Sequence, residues 1–401
     1  MNYVEIDIFD LPEMHEPILD KTKKTRLGTF FSGYDSQAMA YERLKKKGID
    51  YELVCISEID PPVLKVHQSL WGDVLNLGAV GTFERLPGGL DIATWSFPCQ
   101  DISNVGKQRG MVEGSRSNYG YDFLEAVKNT PKSERPKVLM MENVKPLVSE
   151  RFEFDLNNIK NTLKECGYEN HIAVLNASDY GVAQRRERVF ILSILDGGYY
   201  EFPKPVKLTK TFYEYLEKDV DERYFLRPQY IFTILDYDKG FDRKSVFIRN
   251  MQRNETSQTI TTKLDRAESQ YAKHPVIIDI KSQPNYSANP SYTIAPTQYA
   301  QEHYGVILHV EIESESEIKV LKHYDELNLT VCEIHGKCYI KDNGDYFRIR
   351  KITEREAFRL MDVDEPLIDI ILANSNKTNA YKMAGNSIVV GVLEKIFEQL
   401  Y

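Results

Sequence analysis

Residues 95 to 100 read Trp95-Ser96-Phe97-Pro98-Cys99-Gln100 and put a thiol directly behind a proline. A cysteine attacks only as its thiolate, so its surroundings decide whether it is chemically useful. The apolar run Ile92-Ala93-Thr94-Trp95 before it reads as a buried strand, and a polar, glycine-bearing loop from Asp101 to Gly120 follows. A thiol at the exit of a central strand, beside such a loop, lies where open α/β sheets bind their ligands. Pro98 fixes its own φ and biases Phe97 toward extended backbone, so covalent sterics set the direction of the sulfur. Taken alone, Cys99 is equally well a small buried residue.

Two acids and a run of arginines occupy comparable positions. Glu142 closes the apolar run Lys137 to Met141, and at a strand's carboxyl edge it could serve catalysis or cap a helix. Glu58 follows Glu52 to Ile56 in the same way. Gln184-Arg185-Arg186-Glu187-Arg188 feeds directly into the strand-like run Val189 to Leu192. Arginine beside a strand start can hold a polar base or a phosphate.

The elements that must carry these residues alternate. Leu27 to Phe31 reads as a strand, and Ser32-Gly33-Tyr34-Asp35-Ser36 as a turn with N-cap candidates. A helix with Ala38, Tyr41 and Leu44 on one face follows, stopped by Gly48. Strand, glycine turn, helix and a strand ending in an acid make a nucleotide-binding unit, with Glu58 placed to reach two ribose hydroxyls. The turn lacks the G-x-G-x-x-G pattern, which suits an adenosyl ligand without phosphates better than a pyrophosphate. Further strands at Asp91 to Ser96, Lys137 to Met141, Ile172 to Asn176 and Val189 to Leu192 frame a helix carrying Leu156, Ile159 and Leu163 and ending at Gly167. The expectation is a mostly parallel, doubly wound α/β sheet with helices on both faces.

From about residue 200 to 347 the rhythm changes. Short β-branched and aromatic runs at Ser245 to Ile248, Pro275 to Ile280, Ser291 to Ile294 and Cys338 to Ile340 predict a smaller, mainly β domain. Thr256 to Thr261 and Asn289 to Ile294 echo each other too briefly to form a repeat. Loops rich in Tyr, Asn, Gln, Arg and Lys suit base edges and phosphates, though a plain β appendage would look similar. Thr353-Glu354-Arg355-Glu356 reads as a capping box opening a helix through Met361. Gly385-Asn386-Ser387 precedes an amphipathic helix through Val389, Val392, Leu393, Ile396 and Leu400, with Asn386 or Ser387 expected to cap it.

Composition narrows the class. The 401 residues are 42% hydrophobic and 28% charged, with a net charge of −9 that speaks against a general nucleic-acid coat but leaves room for a basic cleft. No apolar run approaches the length of a membrane span, and Met1 to Asp10 lacks the pattern of a signal peptide. Five scattered cysteines without C-x-x-C spacing indicate neither a disulfide framework nor a metal site, and point to a reducing, cytoplasmic setting. The basic clusters Lys21 to Arg26, Lys45 to Lys47 and Arg348 to Lys351 read first as solvated faces.

Phe31-Ser32-Gly33, Pro98-Cys99-Gln100, Glu142-Asn143-Val144, Gln184 to Arg188, Arg350-Lys351-Ile352-Thr353 with Glu356, Arg359, Leu360 and Met361, and Gly385-Asn386-Ser387 occur in that order. This series resembles the DNA cytosine-5 methyltransferases of bacterial and phage modification systems, over about residues 25 to 200 and 348 to 401. The resemblance implies a Rossmann-like S-adenosylmethionine domain over 1–200, a target recognition domain over 201–370, and a C-terminal helix over 371–401 that returns to the first. It implies methyl transfer from S-adenosyl-L-methionine to carbon 5 of a cytosine flipped out of a double-stranded DNA site. Cys99 would be the nucleophile at carbon 6, Glu142 would contact N3 and the exocyclic amine, and Arg188, with Arg186 nearby, would hold O2.

In the same reading Phe31, Gly33 and Tyr34 line the adenosyl pocket, Glu58 holds the ribose and Ile59 flanks the adenine. Pro98 approaches the reactive end, while Asn386 and Ser387 complete the floor. Gln100, Ser103, Lys107, Arg109 and Arg116 would close over DNA, and Thr259 or Thr293 would match a recognition-domain threonine. The partner implied is double-stranded DNA, with a companion restriction endonuclease left open, a monomer expected and no membrane. This chain departs from the family pattern F-x-G-x-G-G at Asp35 and Ser36. It has Gly78-Ala79-Val80 where an adenine-binding aspartate is usual, and Ile59 where an aromatic is common. A tRNA cytosine-5 methyltransferase, a catalytically idle relative and a dinucleotide oxidoreductase are the rival readings.

Overall fold

The computed structural model describes residues 16–98, 118–210, 212–237, 276–280, 304–310, 312, 317–325, 328–342 and 344–401. Seven strands form the larger sheet: β1 (Thr25–Phe30), β2 (Tyr51–Ser57), β3 (Leu75–Asn76), β4 (Ile92–Trp95), β5 (Val138–Val144), β6 (Tyr168–Asn176) and β7 (Glu187–Leu195). Their spatial order is β3-β2-β1-β4-β5-β7-β6. Neighbours from β3 through β5 are parallel, whereas β7 runs antiparallel to both β5 and β6. The expectation of a mostly parallel sheet therefore holds with one reversed strand. β5 is apolar and buried from Val138 to Met141, the pattern of a strand covered on both faces.

Alternation along the strands sorts side chains into two cores. Leu27, Ile92, Val138, Met140, Phe190 and Leu192 share one core with α1 (Ser36–Lys45), α2 (Pro61–Trp71) and the helices within 354–398. Ala93, Trp95, Leu139, Met141, Val189 and Ile191 face the other, under α3 (Tyr119–Asn129) and α4 (Glu153–Glu165). On that second face the Trp95 ring stacks on Phe123 at 4.7 Å, and Phe30 meets Phe123 edge-on at 5.0 Å. Burying rings of this size stabilises each by about 2–3 kcal/mol, so the stack pins the ends of β1 and β4 beside one another. The chain also closes on itself. Tyr401 meets the Thr25 hydroxyl at 2.5 Å and Tyr41 at 3.2 Å, and Leu400 accepts a backbone bond from Leu19.

A second sheet has the order β10-β11-β12-β13-β9-β8, with β8 (Val276–Ile280), β9 (Tyr304–Val310), β10 (Lys319–Tyr324), β11 (Leu329–Ile334), β12 (Lys337–Asp342) and β13 (Asp345–Lys351). Its described pairs are antiparallel except β8 with β9. Val331, Ile340, Phe347 and Ile349 pack with Ile231 of α5 (Pro228–Tyr237). The runs expected at 245–248 and 291–294, and the echo at 256–261, lie outside the described residues. No helix among the described residues is long and apolar enough to cross a membrane.

Where the second sheet returns to the first core, two sequence expectations meet different fates. The capping box forms as read, with Thr353 Oγ1 accepting from Glu356 N and Thr353 N donating to the Glu356 carboxylate. The basic run Arg348 to Lys351 is not a solvated face: all of Arg348, Arg350 and Lys351 are buried. Arg350 donates twice to Glu356, at 2.7 and 2.8 Å, with both side chains almost wholly sealed from solvent. Glu356 also accepts from the backbone N–H of Glu217, so one carboxylate gathers three segments. Asn386 and Ser387 do not cap the final helix either. They end the preceding helix Lys377–Asn386, and the N-cap of Val390–Glu398 is Val389, whose apolar side chain offers no cap.

Removing one member of a buried ion pair strands the other charge, at a cost of about 3–5 kcal/mol. Glu356→Ala is accordingly expected to destabilise the protein by that amount in urea unfolding, while Glu356→Gln, which keeps the capping acceptor, loses less.

Candidate active site

The reversed direction of β7 builds the site. A parallel strand brings only its end to the carboxyl edge of the sheet, but an antiparallel neighbour brings its start there. Val144 of β5 pairs with Arg188 of β7, and Glu142 with Phe190. Positions two apart share a face of the sheet, so Glu142 and Arg188 are diagonal neighbours on the same side. Arg188 Nε lies 3.1 Å from Glu142 Oε1, with both side chains largely buried. Burial pushes the Glu142 carboxyl above the ordinary carboxylate range; Arg188, Arg186 and the Ser96 hydroxyl oppose that rise without cancelling it. The result is a sequestered carboxyl that takes up a proton more readily than an exposed one.

The neighbouring residue holds the approach to the thiol. Asn143 Nδ2 donates to the carbonyl of Phe97 at 3.2 Å, fixing the segment that leaves β4. Pro98 is the last described residue before Cys99, which follows this anchor by two positions in the sequence. Asn143 belongs to the Glu142-Asn143-Val144 motif but had no role in the sequence reading. An amide beside a strand-edge acid was the available signal.

At the carboxyl end of β1, on the same sheet edge, the turn toward α1 carries left-handed backbone at Phe31, Gly33 and Asp35. Phe31 at φ 58° costs about 1–3 kcal/mol, a strain kept only where surrounding contacts dictate it. Asp35, standing where the resembled family has glycine, adopts the same left-handed region at φ 73° and is completely buried. Its carboxylate caps α1 by accepting from Ala38 N at 3.1 Å, accepts the Thr29 hydroxyl at 2.8 Å and meets His67 Nε2 at 3.3 Å. His67 was not singled out from sequence, since it sits within an apolar helix pattern.

Glu58 stands opposite. It accepts from the N–H of Gly33 at 3.0 Å and from those of Ile59 and Asp60, so the ends of β1 and β2 are tied together. Ile59 leaves its side chain 64% exposed. Asn76 bonds both the N–H and the carbonyl of Glu58, and also the N–H of Gly78, in the stretch where the usual aspartate is missing. A phosphate at the start of α1 would meet the Asp35 carboxylate, whereas a ribose would find Glu58 and an adenine an exposed apolar residue. The donor set thus fits a phosphate-free adenosyl group and not a pyrophosphate.

The remaining site residues converge on one turn. Ser387 accepts the Tyr34 hydroxyl at 2.7 Å, and Arg186 Nη2 donates to the carbonyls of Ser387 at 2.7 Å and Gly385 at 3.0 Å. Glu142, Arg186 and Arg188 thus gather at the start of β7. Phe31, Gly33, Tyr34, Glu58 and Ile59 gather at the ends of β1 and β2, and Asn386 with Ser387 lies where the two groups meet. Cys99, Gln100, Ser103, Lys107, Arg109, Arg116, Thr259 and Thr293 lie outside the described residues.

The raised carboxyl carries a stability signature. Glu142 binds its proton more tightly folded than unfolded, so its contribution is complete below the unfolded value of about 4.3 and is lost as pH rises through the higher folded value. Glu142→Gln cannot ionise and does not suffer that loss. The stability of Glu142→Gln relative to the parent should therefore improve from pH 4 to pH 7 in urea unfolding; a difference independent of pH would contradict the shift.

Comparison with known proteins fits this geometry. A family model described as C-5 cytosine-specific DNA methylase matches residues 26–401. The Type II methyltransferase M2.ScrFI of Lactococcus lactis subsp. cremoris is 28% identical over 429 residues, covering 92% of this chain and 97% of its own. The orphan methyltransferase M.SssI of Spiroplasma monobiae is 39% identical over 282 residues, 55% of this chain and 72% of its own. Among solved structures, the Entamoeba histolytica methyltransferase EhMeth shares the fold, with a TM-score of 0.59 at 14% identity, over 94% of this chain and 98% of that one. The chain belongs to the C-5 cytosine-specific DNA methylases and is a DNA cytosine-5 methyltransferase.

Proposed function

We propose that the enzyme methylates carbon 5 of a cytosine flipped out of a specific double-stranded DNA site, using a transient covalent bond from Cys99 to carbon 6. The observation that carries this reading is the buried Glu142–Arg188 pair, one strand away from the exit of β4 that leads to Cys99. Carbon 5 is a poor nucleophile until a thiolate adds at carbon 6 and sends electron density into the ring, which is covalent catalysis. Glu142, held above the usual carboxylate range, donates a proton toward N3 as that density accumulates and accepts from the exocyclic amine. Arg188 holds O2, and Asn143 keeps the Phe97 carbonyl, hence the start of the thiol-bearing loop, in place.

S-adenosyl-L-methionine supplies the methyl group on a cationic sulfur that departs as a neutral thioether. Glu58 and Ile59 hold its ribose and adenine, Phe31, Gly33 and Tyr34 shape the loop against it, Pro98 faces its reactive end, and Asn386 with Ser387 closes the floor. Once carbon 5 carries the methyl group, a base removes the proton there, the sulfur–carbon 6 bond breaks to regenerate the Cys99 thiolate, and N3 returns its proton to Glu142. A stacked base offers no face to the thiol, so extrusion from the duplex is required. Gln100, Ser103, Lys107, Arg109 and Arg116 would contact the DNA, and Thr259 or Thr293 would serve in the recognition domain.

Bisulfite sequencing of DNA from cells expressing the protein is expected to show 5-methylcytosine at one sequence context. Finding none would refute the reading, and labelled methyl transfer to tRNA but not to duplex DNA would redirect it. Cys99→Ser should abolish methylation yet leave DNA binding largely intact in a mobility-shift assay; normal turnover in that variant would end the covalent route.

A further inference from the structure

Tyr34 is sealed inside the protein at 1% exposure, although it belongs to the turn beside the cofactor pocket. Its ring meets Phe358 edge-on at 5.6 Å, and its carbonyl accepts from Trp71 Nε1 at 3.0 Å. These contacts fix the ring without any need for its hydroxyl. That hydroxyl, its phenol pushed up to about 12 by burial, reaches Ser387 at 2.7 Å. Ser387 is in turn gripped through its carbonyl by Arg186, whose charge also acts on Glu142. Arg186 immediately precedes β7 and lies two residues before Arg188, so it has the same parity as the base-facing arginine. A short chain of bonds thus runs from the turn after β1, through the turn at 385–387, to the edge where Glu142 and Arg188 stand.

We propose that Tyr34 is a positioning residue whose hydroxyl, through Ser387 and the Arg186 clamp, ties the placement of the cofactor turn to that of the base-binding edge. Occupancy of the adenosyl pocket then steadies the start of β7 before the cytosine arrives. The inference rests on the reading of this pocket as an adenosyl site. A phenylalanine would satisfy the packing equally well, so the hydroxyl is the part that packing leaves unexplained.

Hydrogen exchange on the full chain, with and without S-adenosylhomocysteine at about 100 times its Kd, tests this without knowledge of the DNA site. In the parent protein the ligand should slow exchange roughly tenfold at Ser32 to Ser36, and also at 385–389 and 185–188. In Tyr34→Phe the segments at Ser32 to Ser36 and 385–389, which the ligand itself touches, should keep their protection while 185–188 loses it, with core strand β5 unchanged. Ser387→Ala removes the same link from the other side and should give the same pattern, which decides the matter should Tyr34→Phe fold poorly. Protection of all three segments retained in these variants would overturn the proposal and leave the adenosyl reading standing. No protection anywhere in the parent would instead overturn the adenosyl reading, and the proposal with it.

Discussion

A sheet of parallel strands gathers strand ends at one edge and strand starts at the other, and this sorting limits what an active site at the carboxyl edge can contain. The antiparallel insertion of β7 between β5 and β6 removes the limit. It delivers a strand start, with Arg186 and Arg188, to the edge where β5 presents Glu142. The remaining arrangement serves that juxtaposition. A buried carboxylate and guanidinium gain little net stability, because desolvation offsets most of their attraction. What the pair provides is a carboxyl whose hold on a proton is strengthened by burial and a cation fixed beside it.

Holding such a pair in place requires rigid surroundings on both faces of the sheet. The stack of Trp95, Phe123 and Phe30 secures the second face, and Asn143 couples β5 to the segment leaving β4. On the first face, Arg43 of α1 bonds both the side chain and the carbonyl of Asp362 as well as Asp364, anchoring the chain as it enters the last helices. The turn at 385–387 is then set down between two groups of site residues that the chain itself separates widely.

Much of this was legible in residue order. Six of the seven strands of the first sheet fell within a few residues of their apolar runs, the short β3 was not expected, the Thr353 capping box formed as written, and Glu142 and Arg188 stand side by side. What could not be read was direction and partnership. No pattern in Val189 to Leu192 distinguishes a parallel from an antiparallel strand, and nothing in the run at 184–188 announces that the Arg186 guanidinium will hold the 385–387 turn. Asp35 caps α1 as the turn's composition allowed, but that it also keeps the left-handed backbone a glycine would supply was not legible. Arg348 to Lys351 looked solvated, since local composition cannot announce that Glu222 and Glu356 will arrive from elsewhere to neutralise them. The helix Lys377–Asn386 was missed for a similar reason: its few buried residues leave only a faint apolar stripe.

The Thr25–Tyr401 contact joins residues 376 positions apart, and the core around β1 is filled by side chains from Ile352 to Leu400. On a ribosome, β1, α1 and β2 emerge long before the helices that cover them. One face of the nascent sheet must then wait, apolar and uncovered, until residues 352–400 have followed. Such a layout favours protection by chaperones during synthesis and delays assembly of the pocket floor. A chain lacking residues 352–400 would leave that surface uncovered and would also lack Asn386 and Ser387, so covering the core and completing the 385–387 turn are one event.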